Sequence, residues 1–285
     1  MVTSLDPGDL LYDFGGHGPT LHLAHANGFP PGTYRPLAGP LAAAFHVVSL
    51  PARPLWPGSD PASAPTWRPL AADLIAQLDR LGLRGIAGVG HSLGAVLTLL
   101  AAVRRPDLFR AIVLIDPVIL PAGRLRALRL LRVAGLEQRL PLVRSALHRR
   151  RTWPSRQACE EQLAAKPFFA TWPAASLNAY VESGTRERPD GQVELVYPPE
   201  WEAHIFASTP TDMWRSVPRL RTPSLWIRGE RSPTFCDECL QRVRGLLPGA
   251  RTLVIADSDH MVPLERPQET AAAILDFLQD VDSRT

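Results

Sequence analysis

Gly88-Val89-Gly90-His91-Ser92-Leu93-Gly94 is the stretch on which the reading of this chain turns. The apolar run Ile86-Ala87-Gly88-Val89 leads into it, and a helical stretch beginning at Leu93 and running to Arg104 follows at once. A strand that passes straight into a helix must take a strained backbone step, and residues lacking a Cβ fit beside that step. Gly90 and Gly94 flank Ser92 two residues either side. The pattern therefore predicts a hydroxyl at the tip of a tight elbow, above the carboxyl end of a sheet, with a helix N-terminus behind it. A Gly-rich turn with an incidental serine would share the spacing. The strand before, the helix after and a histidine far downstream favour the elbow.

Outward from the elbow the chain alternates. Leu21-His22-Leu23-Ala24-His25 and His46-Val47-Val48-Ser49-Leu50 read as short strands, with a helix expected over residues 34–45 between them. Thr66 is placed to cap an amphipathic helix carrying Leu70, Leu74, Ile75, Leu78 and Leu81 on one face, closed by Gly82. The elbow helix is apolar nearly all round, so it should be buried. Arg110-Ala111-Ile112-Val113-Leu114-Ile115 is a further strand, ending at Asp116-Pro117. After residue 222 come the strand Ser224-Leu225-Trp226-Ile227-Arg228, a helix over 237–247, the strand Thr252-Leu253-Val254-Ile255 and a last helix opened by Pro267. Such alternation implies an α/β fold with a mostly parallel, twisted sheet covered by helices on both faces. Ligands then bind outside the carboxyl ends of the strands, where Ser92, Asp116 and His260 all fall.

Residues 118–221 break the alternation. They begin with Leu125, Leu128 and Leu131 three apart beside Arg126, Arg129 and Arg132, and continue with Trp153, Phe168, Phe169, Trp172, Tyr180, Trp201, Phe206 and Trp214. This is too apolar for a linker. An insertion after a strand end sits over that end, so these residues are expected to form a mainly helical lid, with residues 1–117 and 222–285 as the core domain. Most of the aromatics should pack the lid on the core, and some should help wall the pocket. The arginines read as a solvated face, with a membrane surface or an anionic substrate as the alternative.

Composition narrows the class. A chain of 285 residues, 45% apolar, can bury about three quarters of its unfolded surface. No stretch reaches the ~18 uninterrupted apolar residues of a membrane span. Met1-Val2-Thr3-Ser4-Leu5-Asp6 has neither a basic segment nor an apolar core, so no secretory signal is read there. The net charge of +3 comes almost wholly from arginine, Lys166 being the only lysine, and no nucleic-acid-reading motif accompanies it. Three cysteines, Cys159, Cys236 and Cys239, argue against a disulfide framework and fit a cytoplasmic protein. Cys236 and Cys239 have redox or zinc spacing, but a closed zinc site needs four ligands; two ordinary thiols in a helix first turn are expected, and no metal or cofactor.

Three motifs together resemble those of the α/β-hydrolase superfamily, over roughly residues 10–117 and 220–282. They are Gly90-His91-Ser92-Leu93-Gly94; His25-Ala26-Asn27-Gly28-Phe29-Pro30, similar to the superfamily's His-Gly oxyanion turn with two residues inserted; and Asp259-His260-Met261-Val262-Pro263-Leu264-Glu265-Arg266-Pro267, similar to the loop bearing its histidine. A serine hydroxyl needs a base, and His260, after the last strand and before the last helix, is the expected one. His25 and His91 read as structural. The resemblance implies the backbone amides of Phe29 and Leu93 as oxyanion donors. It also exposes a departure. The superfamily's usual acid follows the strand at 224–228, where Gly229-Glu230-Arg231-Ser232-Pro233-Thr234 puts Ser232 and Pro233 in the expected positions. Asp116, at the alternative position used by some members, is the expected acid; Glu230 and then Asp237 are the alternatives. Leu50-Pro51-Ala52-Arg53-Pro54 also replaces the familiar Asp-x-Arg-Gly run.

The expectation is thus a serine hydrolase cleaving a small-to-medium ester with an apolar or aromatic acyl part through an acyl-enzyme. Carbon–carbon or amide hydrolysis, a lyase reaction, and a non-catalytic ligand-binding protein on the same scaffold are the alternatives. The partner is a small-molecule substrate, with no nucleic acid and no integral membrane segment; the sequence leaves the oligomeric state open.

Overall fold

The computed structural model describes residues 10–284. Met1 to Asp6, read above for a leader, lie outside them. In chain order the elements are β1 (Tyr12–Gly15), β2 (Thr20–Ala24), α1 (Arg35–Leu41), β3 (His46–Ser49), α2 (Trp67–Arg80), β4 (Ile86–His91), α3 (Leu93–Arg104) and β5 (Phe109–Ile115). Then follow α4 (Ala122–Val133), α5 (Pro141–His148), β6 (Thr152–Trp153), α6 (Arg156–Ala164), α7 (Ala174–Gly184), β7 (Thr185–Glu187), β8 (Val193–Leu195) and α8 (Pro199–Ala207). The chain ends with β9 (Ser224–Gly229), α9 (Asp237–Leu246), β10 (Arg251–Ile255), α10 (Val262–Glu265) and α11 (Pro267–Asp282).

Seven strands form one sheet in the order β1-β3-β2-β4-β5-β9-β10, parallel throughout except for β1, which runs antiparallel to β3. The central strands feed two apolar layers because successive side chains point to opposite faces. From β5, Ile112 and Leu114 join Leu70, Leu74 and Leu78 of α2, the buried residues of α3, and Leu240 and Val243 of α9. Ala111, Val113 and Ile115 face the other way, toward Leu37 and Leu41 of α1 and Ile274, Phe277 and Leu278 of α11. Helix α3 is buried at every position from Leu93 to Ala102, as its all-round apolar sequence requires. It lies close to the sheet because Gly90 and Gly94 leave room: a Cβ on Gly90 would meet the Gly94 carbonyl at 2.5 Å, and one on Gly94 would meet the Ala24 carbonyl at 2.1 Å.

Between β5 and β9 the chain leaves the sheet and builds α4 to α8 with a three-stranded antiparallel sheet, β6-β8-β7. That small sheet stands beside the helices of an insertion read from the sequence as mainly helical, and no strand was read within it. Its strands are two or three residues long and carry Arg186, Glu187 and Glu194, so no apolar alternation announces them. The helix expected over 34–45 is likewise shorter: a 3-10 turn over Pro31–Tyr34 precedes α1, and the α-helix ends at Leu41. Indole N–H groups tie the insertion to the rest. Trp201 donates to Ser59 Oγ (2.9 Å) and Trp67 of α2 to the Ile205 carbonyl (3.1 Å), while Trp214 closes the base of the insertion on itself through the Leu120 carbonyl (2.9 Å). Trp153, Phe169, Trp172, Tyr180 and Trp201 are buried, while Phe168 is half exposed. No helix among the described residues is long and apolar enough to cross a membrane.

Candidate active site

Ser92 stands between β4 and α3 with φ of 55°, a conformation that L-residues avoid at a cost of about 1–3 kcal/mol. The surrounding sheet enforces it: the Ser92 N–H donates to the Ile115 carbonyl at the end of the neighbouring strand (2.9 Å). Asp116, the residue after Ile115, also has positive φ, 44°, and its N–H donates to the Ile227 carbonyl of β9 (2.7 Å). Both side chains thereby emerge at the carboxyl edge of the sheet from fixed backbone.

His260 joins them. Its Nε2 lies 2.9 Å from Ser92 Oγ and its Nδ1 lies 2.7 Å from Asp116 Oδ1. Asp116 is fully buried, and an ionised carboxylate there needs donors on every side. Besides the imidazole it accepts from the Ser232 hydroxyl on Oδ1 (2.6 Å) and from the Gly229 N–H on Oδ2 (3.0 Å). With Nδ1–H given to Asp116, Nε2 is free to accept the Ser92 proton. The alternative acids are elsewhere. Glu230 is exposed and accepts from the Asp257 N–H (3.0 Å), and the exposed Asp237 faces Arg228 at 3.6 Å.

The loop carrying His260 is pinned at its backbone. Glu265 accepts from the Asp259 N–H (2.6 Å), and burial pushes the Glu265 carboxyl above its ordinary range. The His260 carbonyl accepts from His91 Nε2–H (2.9 Å), while His91 Nδ1 accepts from the Tyr34 hydroxyl (2.8 Å), which in turn accepts from the Ala26 N–H (3.0 Å). His91 and His25 are therefore backbone braces, as read from the sequence. His25 donates from Nδ1 to the Ala26 carbonyl (2.9 Å) and accepts from the Ala52 N–H on Nε2 (2.9 Å). His22, without a motif, also proves structural, accepting from the Leu50 N–H (3.2 Å). Burial holds all three rings neutral, His22 and His91 at about 3 and His25 at about 4.

Of the two amides named as donors, that of Leu93 opens α3 and has no acceptor within the helix. That of Phe29 closes a turn to the Ala26 carbonyl through a long bond, 3.3 Å, with Gly28 supplying the φ of +81° such a turn needs. Four partners carried no sequence signal of their own: Ser232, Tyr34, Tyr197 and Glu202. Ser232 stands where the superfamily's acid usually is, and that coincidence is the one clue the chain offered. Tyr197 and Glu202 reach the turn from the insertion. The Tyr197 hydroxyl donates to Asn27 Oδ1 (2.9 Å), and Asn27 Nδ2 donates to the Glu202 carbonyl (3.0 Å).

Cys236, at the N-cap of α9, and Cys239, in its first turn, are free thiols with their sulfurs 3.5 Å apart. No group of three or more His, Cys, Asp or Glu side chains among the described residues could hold a metal ion.

These features agree with comparisons to known proteins. A model of the alpha/beta hydrolase family matches residues 23–273. The 2-(acetamidomethylene)succinate hydrolase of Mesorhizobium japonicum is 30% identical over 210 residues, covering 73% of this chain and 69% of that protein. A pimeloyl-acyl-carrier-protein methyl ester esterase of Xanthomonas axonopodis pv. citri is 26% identical over 268 residues, 93% of this chain and 97% of its own. In fold, the crystal structure of E-2-(acetamidomethylene)succinate hydrolase superposes with a TM-score of 0.78 at 24% identity, covering 94% of each chain. The chain is a member of the alpha/beta hydrolase family.

Proposed function

We propose that Ser92, His260 and Asp116 are the nucleophile, base and acid of a serine hydrolase that cleaves small-to-medium esters through an acyl-enzyme. The observation that carries this reading is the unbroken hydrogen-bond chain from Ser92 Oγ through the His260 ring to the buried Asp116 carboxylate. Ser92 Oγ attacks the ester carbonyl while Nε2 takes its proton. The imidazolium that forms is stabilised by Asp116 and then protonates the leaving alkoxide. Water, giving a proton to Nε2, then attacks the acyl-serine, and the imidazolium returns a proton to Ser92 Oγ as the acyl–Oγ bond breaks and the acid leaves. The developing oxyanion is assigned to the N–H groups of Leu93 and Phe29; at 3.3 Å the turn bond of Phe29 is weak enough to be shared.

An apolar or aromatic acyl part is supported by the rings gathered at the oxyanion turn. Phe29 lies 5.0 Å from Tyr180 and 6.0 Å from Trp172, and Phe169 packs on both of those rings. The segment between β5 and β9, which supplies Trp172 and Tyr180, is assigned the role of lid. The ester specificity named for the Xanthomonas relative is compatible with this chemistry. Free cysteines fit a cytoplasmic setting. A fluorophosphonate probe should label Ser92, located by peptide mass spectrometry, and p-nitrophenyl esters of graded chain length should be turned over. A protein that binds such esters without hydrolysing them, and leaves Ser92 unlabelled, would instead be a ligand-binding member of the fold.

A further inference from the structure

We propose that the insertion assembles the oxyanion site. Tyr197 and Asn27 are positioning residues that hold the Phe29 amide from above, so the donor is in place only while the insertion is docked. This rests on the reading of Phe29 as an oxyanion donor.

The turn over residues 25–29 is held by two different parts of the molecule. The core holds its first half: His25 donates to the Ala26 carbonyl, and the Ala26 N–H is taken by Tyr34. The insertion holds the second half, one residue after another. Asn27 is buried, and both ends of its amide are satisfied from the insertion, Oδ1 by the Tyr197 hydroxyl and Nδ2 by the Glu202 carbonyl. Gly28 is covered by the Glu202 carboxylate, which a Cβ at that position would approach to 3.0 Å. Phe29 packs under Tyr180, whose hydroxyl accepts from Arg149 (2.7 Å), and Arg149 is the ion-pair partner of Glu202. Without these contacts the second half of the turn keeps only its own long 3.3 Å bond and the hydrogen bond of the His25 ring to the Phe29 backbone, a weaker hold on the amide against a developing charge.

The arrangement explains a peculiarity of the sequence. Relative to the His-Gly turn it resembles, this one carries two extra residues, Ala26 and Asn27. One is anchored to the core and the other to the insertion, so the added length is what lets the turn be gripped from both sides. Tyr197 and Asn27 are 170 residues apart, and the clamp exists only in the folded, closed molecule.

Tyr197→Phe removes the hydroxyl and keeps the buried ring. With p-nitrophenyl butyrate, kcat should fall about 10- to 100-fold, less than the 10²–10³ lost when a donor is deleted outright, while KM stays within about twofold. Affinity for a trifluoromethyl ketone, whose serine adduct carries an oxyanion, should fall by the same factor as kcat/KM. A loss of packing alone would lower the unfolding midpoint without that correlation. Asn27→Asp, which keeps the acceptor for Tyr197 but loses the donor to Glu202, gives a second test should Tyr197→Phe fold poorly, and it should move the same two quantities. Wild-type kcat in both folded variants, or a loss confined to KM with ketone affinity unchanged, overturns the clamp alone. A wild-type protein that fluorophosphonate does not label at Ser92 overturns the catalytic reading and the clamp with it.

Discussion

Replacing Asp116 with asparagine tests the proposed chemistry at its least obvious member. Every group aimed at this carboxylate is a donor: Gly229 N–H on one oxygen, Ser232 O–H and His260 Nδ1–H on the other. An asparagine must turn its NH₂ toward one side. If it faces Gly229, two N–H groups oppose each other in a fully buried site, at a cost of about 1–3 kcal/mol. The cheaper choice keeps the oxygen toward Gly229 and points NH₂ at Ser232 and His260. The Ser232 hydroxyl can rotate to accept, but the imidazole can accept on Nδ1 only by carrying its proton on Nε2, against Ser92. That tautomer cannot act as a base toward the serine. The expected loss in kcat is about 10⁴, or about 5 kcal/mol of transition-state stabilisation, with little change in KM or fold. Steady-state kinetics on a p-nitrophenyl ester, beside circular dichroism and urea unfolding of the same preparation, measure this. Activity within tenfold of the parent, or an equal loss in Glu230→Gln with Asp116→Asn intact, would refute the assignment.

Ser92→Ala should lower turnover by several orders of magnitude while leaving the fold intact, since alanine keeps the same backbone φ of 55° and the substitution removes only the bond to His260; unchanged esterase activity would remove the mechanism. Ser232→Ala deletes a 2.6 Å bond to a buried carboxylate, so stability should drop by about 1.5–3 kcal/mol and kcat by about tenfold, read by urea titration and kinetics; a variant matching the parent in both would count against this role. Gly94→Ala would set a methyl 2.1 Å from the Ala24 carbonyl, and a destabilisation above about 3 kcal/mol is expected, with a stable, active variant as the contrary result. Burial depresses His22, His25 and His91 below the usual 6.5, so the unfolded chain takes up protons that the native one refuses. Their contribution is complete above about pH 6.5 and is lost as pH falls toward about 4 for His25 and about 3 for His22 and His91, each ring adding up to about 1.4 kcal/mol per pH unit; urea midpoints flat from pH 7 to 4.5 would contradict neutral buried rings.

The sheet was legible because its inner strands are covered on both faces and so read as short apolar runs between helices. The elbow helix matches residue for residue, Leu93–Arg104. Edge strand β1 was not read: Tyr12-Asp13-Phe14-Gly15 is only half-buried, and pairs antiparallel with β3 through a register shift. Within the site, Ser92 and His260 were nameable from local pattern, because an elbow and a post-strand loop are local features. Asp116 needed the superfamily's alternative acid position to suggest it. Ser232 was noticed as an anomaly, and its use became plain only when the β9 loop folded over the end of β5. Tyr197 and Glu202 were beyond reach, since their partners lie some 170 positions away, and no periodicity records such a meeting.

Placing the carboxylate after β5 has a mechanical corollary. The proposed nucleophile and acid follow neighbouring strands, and one bond, Ser92 N–H to the Ile115 carbonyl, joins the residue bearing the hydroxyl to the one preceding Asp116. Their spacing is thus fixed by the stiffest part of the molecule, and the imidazole alone hangs from a loop. Any breathing that spoils the alignment must be a displacement of that single ring, which makes its ¹⁵N resonances the natural gauge of how often the machine is out of gear.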